Sequence, residues 1–419
     1  MNIITYLNDV VRLRFPALTH DNFRIYWLGQ CVSLIGTWMQ NIGQTWLVYS
    51  LTGSPLLLGL LGATQFLPIT FFSLFAGVII DNYPKRTILL LTQLISMILA
   101  FTLSLLVFTH TVKYEYILLL AFILGCCNTI DLPTRQAFTF EMAGKHDLLS
   151  AIALNSATFN LARIIGPAIG ALIMASFGAG WCFFLNGVSY IAVLISLLKI
   201  KVSPYVRKKA SNTMLKEIKD GLSYISQEPS LLRTILMVLV IGLFVFNFNI
   251  LLPVFTKDVL HQREQVYGLL MSTLGVGSLL GAIMVSMKSK IGPHSKILIF
   301  STLMVSIMFI LISFTKTYYY TAILLLLAGV ATIWFTTNAN STLQITSKDE
   351  YRGRVMSVYS LVFAGSTPIG NMFAGFVAGR LGAENAFLIS GILTMSSIGI
   401  LTLIFKLRKQ ELPVSKASL

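Results

Sequence analysis

Along most of the chain apolar residues follow one another without alternation, and polar residues gather in short breaks between these runs. Twelve runs reach the ~20 residues that a helix needs to cross a bilayer: 25–49, 56–80, 87–109, 115–135, 149–176, 181–199, 232–256, 266–287, 296–315, 318–342, 354–378 and 385–405. The pattern predicts an all-α polytopic membrane protein. Its longest polar break, 200–231, lies near the middle of the chain, so the spans divide into six before it and six after. The expected organisation is a cytoplasmic lead-in (1–23), an N-terminal half (24–199), a central cytoplasmic linker (200–231), a C-terminal half (232–405) and a basic tail (406–419). Inside the linker, apolar positions at 215, 218, 222 and 225 keep a helical period opposite a basic face, which predicts a helix lying on the membrane surface.

Composition agrees with this pattern. The chain of 419 residues is 55% hydrophobic and 11% charged, with a mean hydropathy of +0.78, whereas about a quarter of a soluble domain is charged. The net charge of +15 is spread over the turns rather than gathered on one segment, which argues for membrane topology and against a nucleic-acid partner. Most Lys and Arg fall in the termini and alternate loops. Lys113, Lys257, Arg263, Lys316 and Arg380 fall in the intervening ones, and Arg163 stands inside a span. That bias puts both termini in the cytoplasm. No cleavable signal is expected before Asn22. The four cysteines show no metal-ligand spacing, so neither a metal site nor a disulfide is expected.

One short charged turn carries a motif, Gly77-Val78-Ile79-Ile80-Asp81-Asn82-Tyr83-Pro84-Lys85-Arg86. It forces its two flanking spans to be antiparallel neighbours, and Lys85 and Arg86 place it on the cytoplasmic side, with Asp81 facing them. The spacing G-x-x-x-D-x-x-x-[RK]-[RK] resembles a loop signature of the major facilitator superfamily. The resemblance implies that Gly77 allows close helix approach and that Asp81, Lys85 and Arg86 hold a cytoplasmic gate. In the fifth span, Gly166-Pro167-Ala168-Ile169-Gly170 resembles the core of the motif that marks antiporters of that superfamily. There Gly166, Pro167 and Gly170 are expected to bend the helix and tighten its packing. Partial internal repetition supports two related halves: Pro84-Lys85-Arg86 has a counterpart in Pro293-His294-Ser295, and Ile165-Gly166 has one in Ile369-Gly370.

Polar side chains on spanning helices should turn inward, because lipid offers them no partner. Ser33, Thr37, Gln40, Asn41 and Gln44 form such a stripe on the first span, serving either as a cavity wall or as interhelical glue. Ser156, Asn160 and Arg163 form another on the fifth, read as facing a cavity. Arg163 lies about 21 Å from the cytoplasmic start of its span at 1.5 Å per residue. It is expected to contact an anionic substrate or to pair with Asp131. Two roles are open to Asp131: a proton carrier, or a helix-end ion pair with Arg135 at i+4. In the second half Asn247, Trp334 and Asn338 are the expected cavity residues. Amides, aromatics and one cation suit a small amphiphilic organic substrate.

The combined text, from Trp27-Leu28-Gly29-Gln30 and Gly36-Thr37-Trp38-Met39-Gln40 to Asp131-Leu132-Pro133-Thr134-Arg135-Gln136 and Arg352-Gly353-Arg354, resembles the drug:proton antiporter-3 branch of the superfamily, with its macrolide-efflux and enterobactin-exporter permeases. The resemblance implies a monomeric bacterial inner-membrane exporter without cofactor, driven by the proton gradient, moving either a drug or a siderophore or other metabolite. An uptake symporter is the alternative. A membrane enzyme or lipid-handling protein is a third class, disfavoured because the five His are scattered and no nucleophile, paired-carboxylate or nucleotide-binding pattern occurs.

Overall fold

The computed structural model describes residues 15–200, 214–287 and 295–411. Its long helices are α1 (Asp21–Thr52), α2 (Pro55–Asn82), α3 (Lys85–Phe108), α4 (Tyr114–Phe177), α5 (Ala179–Lys199), α6 (Met214–Gln227), α7 (Pro229–Phe244), α8 (Phe248–Val254), α9 (Glu264–Met287), α10 (Ser295–Ser313), α11 (Tyr318–Thr346), α12 (Asp349–Leu381) and α13 (Ala383–Glu411). There is no strand among the described residues. Twelve spans result. The helix α4 supplies two, because Gly144 adopts φ 69° and ψ 176° and breaks it into limbs over 114–143 and 145–177. The seventh is composite, with α7 and α8 followed by a π turn at Phe255–Val259. Pro253, which cannot donate a backbone hydrogen bond, stands two residues before that turn.

Segment 136–148 corrects the sequence reading, which ended one span at 135 and began the next at 149. It is helical on both sides of Gly144, because its side chains have protein to bury against. Phe138, Met142 and Ala143 pack with Ala17, Phe23, Tyr26, Leu89 and Leu197 in one apolar cluster. The lead-in docks beside it: Ala17 donates its N–H to Ser150 Oγ at 3.3 Å, and His20 Nε2 lies 2.8 Å from Asp147 Oδ2. That hydrogen bond holds the Asp147 carboxyl below its ordinary range.

The chain forms two compact units. The first comprises Met1–Gly53, Thr64–Ser211 and Gln262–Gly275. In it Thr45 Oγ1 and Tyr267 OH share a hydrogen bond of 2.8 Å, Trp46 stacks on Tyr267, and Ser272 Oγ donates to Ile164 O at 2.7 Å. The second comprises Ser54–Ala63, Asn212–His261 and Val276–Leu419. In it the start of α2 lies against α12 so closely that a Cβ on Gly59 would stand 2.5 Å from Asn371 O.

The helix α6 covers the stretch that the linker periodicity marked, and it docks on α12. Tyr224 stacks on Tyr351 with ring centroids 4.4 Å apart, Asp220 pairs with Arg354 at 3.5 Å, and Ile225 is buried with Leu231, Val355 and Val358. Leu222, expected on the same apolar face as Ile225, is 49% exposed. The side chains at 215 and 218 lie outside the described residues, as do Pro293 and His294 of the repeat.

Helices in lipid gain little from burying apolar surface and must instead approach closely. Along α1, Gly29, Gly36 and Gly43 recur every seven residues and face α5. A Cβ on Gly36 would stand 2.5 Å from Ser189 Oγ and 2.6 Å from Asn186 Oδ1. We therefore expect Gly36→Ala to lower stability by about 1–3 kcal/mol. Gly399→Ala, where a Cβ meets nothing within 4 Å, should lower it not at all. Unfolding of the purified protein in micelles checks both, and equal behaviour of the two variants would contradict this account of the α1–α5 seam.

Candidate functional site

The first unit holds a partly open cavity of about 490 Å³ walled by α1 to α5. Its chemistry centres on Asp131, a carboxylate on the first limb of α4 that is 3% exposed. Asp131 Oδ1 accepts from Thr92 Oγ1 at 2.6 Å and from Gln93 Nε2 at 2.8 Å, both on α3. Arg135, one turn along α4, donates its Nε to Asp131 Oδ2 and its Nη1 to Gln30 Oε1 on α1. Spacing by four puts the acid and the base on one face of the helix, and α3 and α1 answer them from the two sides. Both carboxylate oxygens are thus occupied and the pair carries no net charge.

Carboxamides line the rest. Asn186 Nδ2 donates to Gln40 Oε1 at 2.7 Å, and Asn155 Nδ2 donates to Thr139 Oγ1 at 3.3 Å. Gln93 Oε1 is buried with no partner, which leaves an acceptor at the wall. Trp38 and Phe159 meet edge to face with centroids 5.6 Å apart and form an apolar side.

Thr37, Gln40 and Asn41 line this cavity, as the α1 stripe anticipated. Gln44 lies beyond it, buried, and accepts from Gln65 Nε2 at 3.5 Å. Ser156, Asn160 and Arg163 are not among the lining residues; the second limb of α4 presents Asn155, Thr158 and Phe159 instead. The expected stripe is therefore displaced by one position, about 100° around the helix axis at 3.6 residues per turn. Arg163 also does not pair with Asp131, whose basic partner is Arg135. Arg163 Nη2 donates to Asn160 Oδ1 at 3.3 Å.

Gly166 and Gly170 seat α1, since a Cβ on the former would stand 2.5 Å from Trp38 Cβ and on the latter 2.9 Å from Met39 Cγ. The limb keeps helical dihedrals through Pro167, and Gly144 is the residue of α4 that leaves them. At the turn between α2 and α3 Lys85 pairs with Glu141 on α4, and Arg86 donates to Leu197 O at 2.6 Å and Leu198 O at 2.9 Å. Arg86 thus takes carbonyls that the end of α5 cannot satisfy itself. Gly77 lies within α2, and the side chain of Asp81 lies outside the described residues.

In the second unit Asn247 is fully buried in the break between α7 and α8 and donates to Leu243 O at 2.8 Å. Asn338 donates to Trp334 O at 2.8 Å, and the Trp334 ring tilts against Phe300. Gln30, Thr92, Gln93 and Glu141 were not singled out from sequence. The adjacent Thr92 and Gln93 inside the apolar run 87–109 were the signal available for two of them. No cluster of three or more metal-ligating side chains occurs among the described residues.

Comparison with known proteins places this architecture. A family model described as transmembrane secretion effector matches residues 14–418. The staphyloferrin A transporter of Staphylococcus aureus is 27% identical over 371 residues, 86% of this chain and 90% of that one. Macrolide efflux protein A of Streptococcus pyogenes is 21% identical, covering 93% and 97%. The multidrug efflux pump Tap of Mycolicibacterium fortuitum is 24% identical, covering 88% and 92%. Among solved structures, the nucleoside transporter NupG superposes with a TM-score of 0.75 at 12% identity, covering 92% of this chain and 99% of that one. A bacterial homologue of the lysosomal transporter Spinster gives 0.71 at 13% identity, covering 93% and 96%. At these identities the structural likenesses speak to the fold alone.

Removing one member of a buried ion pair strands the other in a medium that cannot solvate it. Asp131→Asn should therefore destabilise the protein by about 3 kcal/mol, and adding Arg135→Gln should recover most of the loss. A double-mutant cycle on unfolding in micelles reads the coupling. Additive effects of the two substitutions would show that the pair is not a unit.

Proposed function

The chain belongs to the transmembrane secretion effector family of the major facilitator superfamily, and from that premise we propose that it is a secondary exporter. It moves a small amphiphilic organic compound out of the cytoplasm across a bacterial inner membrane, in exchange for protons. The observation that carries the reading is a largely apolar cavity between helices long and apolar enough to span a membrane, with carboxamides and a buried carboxylate in its wall. Proteins of similar sequence are named for a siderophore, for macrolides and for multidrug efflux, which supports the outward direction and an organic cargo.

In this reading Asp131 is the proton site. A proton on Asp131 removes the attraction that draws Arg135 to it, while Arg135 keeps Gln30 and Asp131 keeps Thr92 and Gln93. The network then has two arrangements of similar hydrogen bonding that differ in charge, which is what a proton-driven switch requires. Lys85 with Glu141, and Arg86 on the end of α5, hold the cytoplasmic turn. Alternating access exposes the cargo site to either side in turn.

The test compares a deletion strain with its complemented parent by untargeted metabolomics of cells and medium, with and without iron. Under the export reading a compound accumulates in deletion cells and falls in the medium, or the strain becomes sensitive to macrolides or dyes. An iron-regulated chelator missing from the medium identifies a dedicated siderophore exporter, and sensitivity with an unchanged metabolite profile identifies a drug pump. A lower internal level of the compound in deletion cells would establish uptake and overturn export.

A further inference from the structure

Arg163 is a charge that the ion-pair network leaves unanswered. It sits 14 positions before the end of α4 at Phe177, about 21 Å at 1.5 Å per residue, too deep for its side chain to reach the interface from that end. Among the described residues no carboxylate pairs with it. The nearest candidates by sequence are engaged elsewhere, Asp131 by Arg135, Glu141 by Lys85 and Asp147 by His20. Its Nε is buried and has no hydrogen-bond partner. The remaining recorded contact is the long bond from Nη2 to Asn160 Oδ1.

The surroundings hold the guanidinium in place without neutralising it. Asn160 donates its Nδ2 to Ser156 O at 2.8 Å, which turns Oδ1 toward Arg163. The backbone of this turn is pinned by α9: Ser272 Oγ donates to Ile164 O, and Gly275 packs so closely that a Cβ there would stand 3.0 Å from Arg163 O. A charge inside a membrane span without a counter-ion costs several kcal/mol. The fold spends rigid packing on fixing this one, and the Nε edge of a guanidinium is the edge that takes a carboxylate side-on.

We propose that Arg163, oriented by Asn160, is the contact for a carboxylate on the transported compound, so that the cargo is an organic anion. Its assignment as cargo rests on the exporter reading; the anion contact itself does not. The depth argues against a lipid headgroup as the ligand, and the aromatic pair Trp38 and Phe159 on the same stretch of α1 and α4 argues for a carboxylate borne on an apolar body.

The purified full-length protein in micelles is titrated with 2-naphthoate, with its uncharged amide 2-naphthamide, and with inorganic phosphate, by equilibrium dialysis and by thermal unfolding. Naphthoate should bind at least about tenfold more tightly than naphthamide. Arg163→Gln should abolish that preference, and Arg163→Lys should keep part of it. Without ligand, Arg163→Gln should raise the unfolding midpoint by about 2 °C or more, because it removes an uncompensated buried charge. A structural arginine would do the reverse. A lowered midpoint, equal binding of naphthoate and naphthamide, or binding of phosphate alone overturns the proposal. If the anion preference holds and the deletion strain exports nothing, the contact stands and the exporter reading falls. If the exported compound carries no acid and Arg163→Gln vesicles still move it, the contact falls and export stands.

Discussion

A carboxylate sealed among membrane helices has to be answered donor by donor, and the first unit of this protein is built around the donors and acceptors that meet Asp131 and Arg135. Thr92 and Gln93 come from α3, Gln30 from α1, and the base from the same helix as the acid. Moving any of these helices outward by an ångström or two would leave a buried polar atom unpaired, at a cost of one to a few kcal/mol each. The network therefore fixes how α1, α3 and α4 converge. Dispersion alone, which is as available from lipid as from protein, could not.

The glycine seams make that convergence sterically possible. Gly29, Gly36 and Gly43 let α5 close on α1, and Gly166 and Gly170 let the second limb of α4 close on its other side, at Trp38 and Met39. With both flanks of α1 drawn in, its polar residues have one direction left, and Thr37, Gln40 and Asn41 face the cavity. The first span thus owes its inward-facing amides to small residues on two neighbouring faces. Substituting these glycines would disturb the cavity wall without changing any residue that lines it.

Much of this was legible in the sequence, for a physical reason in each case. Twelve spans are legible because bilayer thickness sets their length. The α1 stripe is legible because lipid rejects amides and the period of the helix does the rest. The partner of Asp131 was left open between Arg135 and Arg163, since spacing alone cannot say whether an i+4 bond prevails over one from another turn. The stripe on the second limb of α4 was read one position off, because Ser156, Asn160 and Arg163 are the more conspicuous polar set while Asn155, Thr158 and Phe159 mix polarity with bulk. The helical course of 136–148 was missed because its charges resemble a loop. Phe138 and Met142 show that it buries an apolar face against the lead-in, which hydropathy averaged over a span does not resolve.

The two arginines of α4 divide the electrostatic work. Arg135 is closed off by Asp131, so these two groups answer each other within the cavity wall. Arg163 has no ion-pair partner among the described residues. A cation inside a span is less stable without a counter-charge than beside one. The two charged centres lie on successive spans that meet at the non-helical Gly144, so each belongs to its own helix.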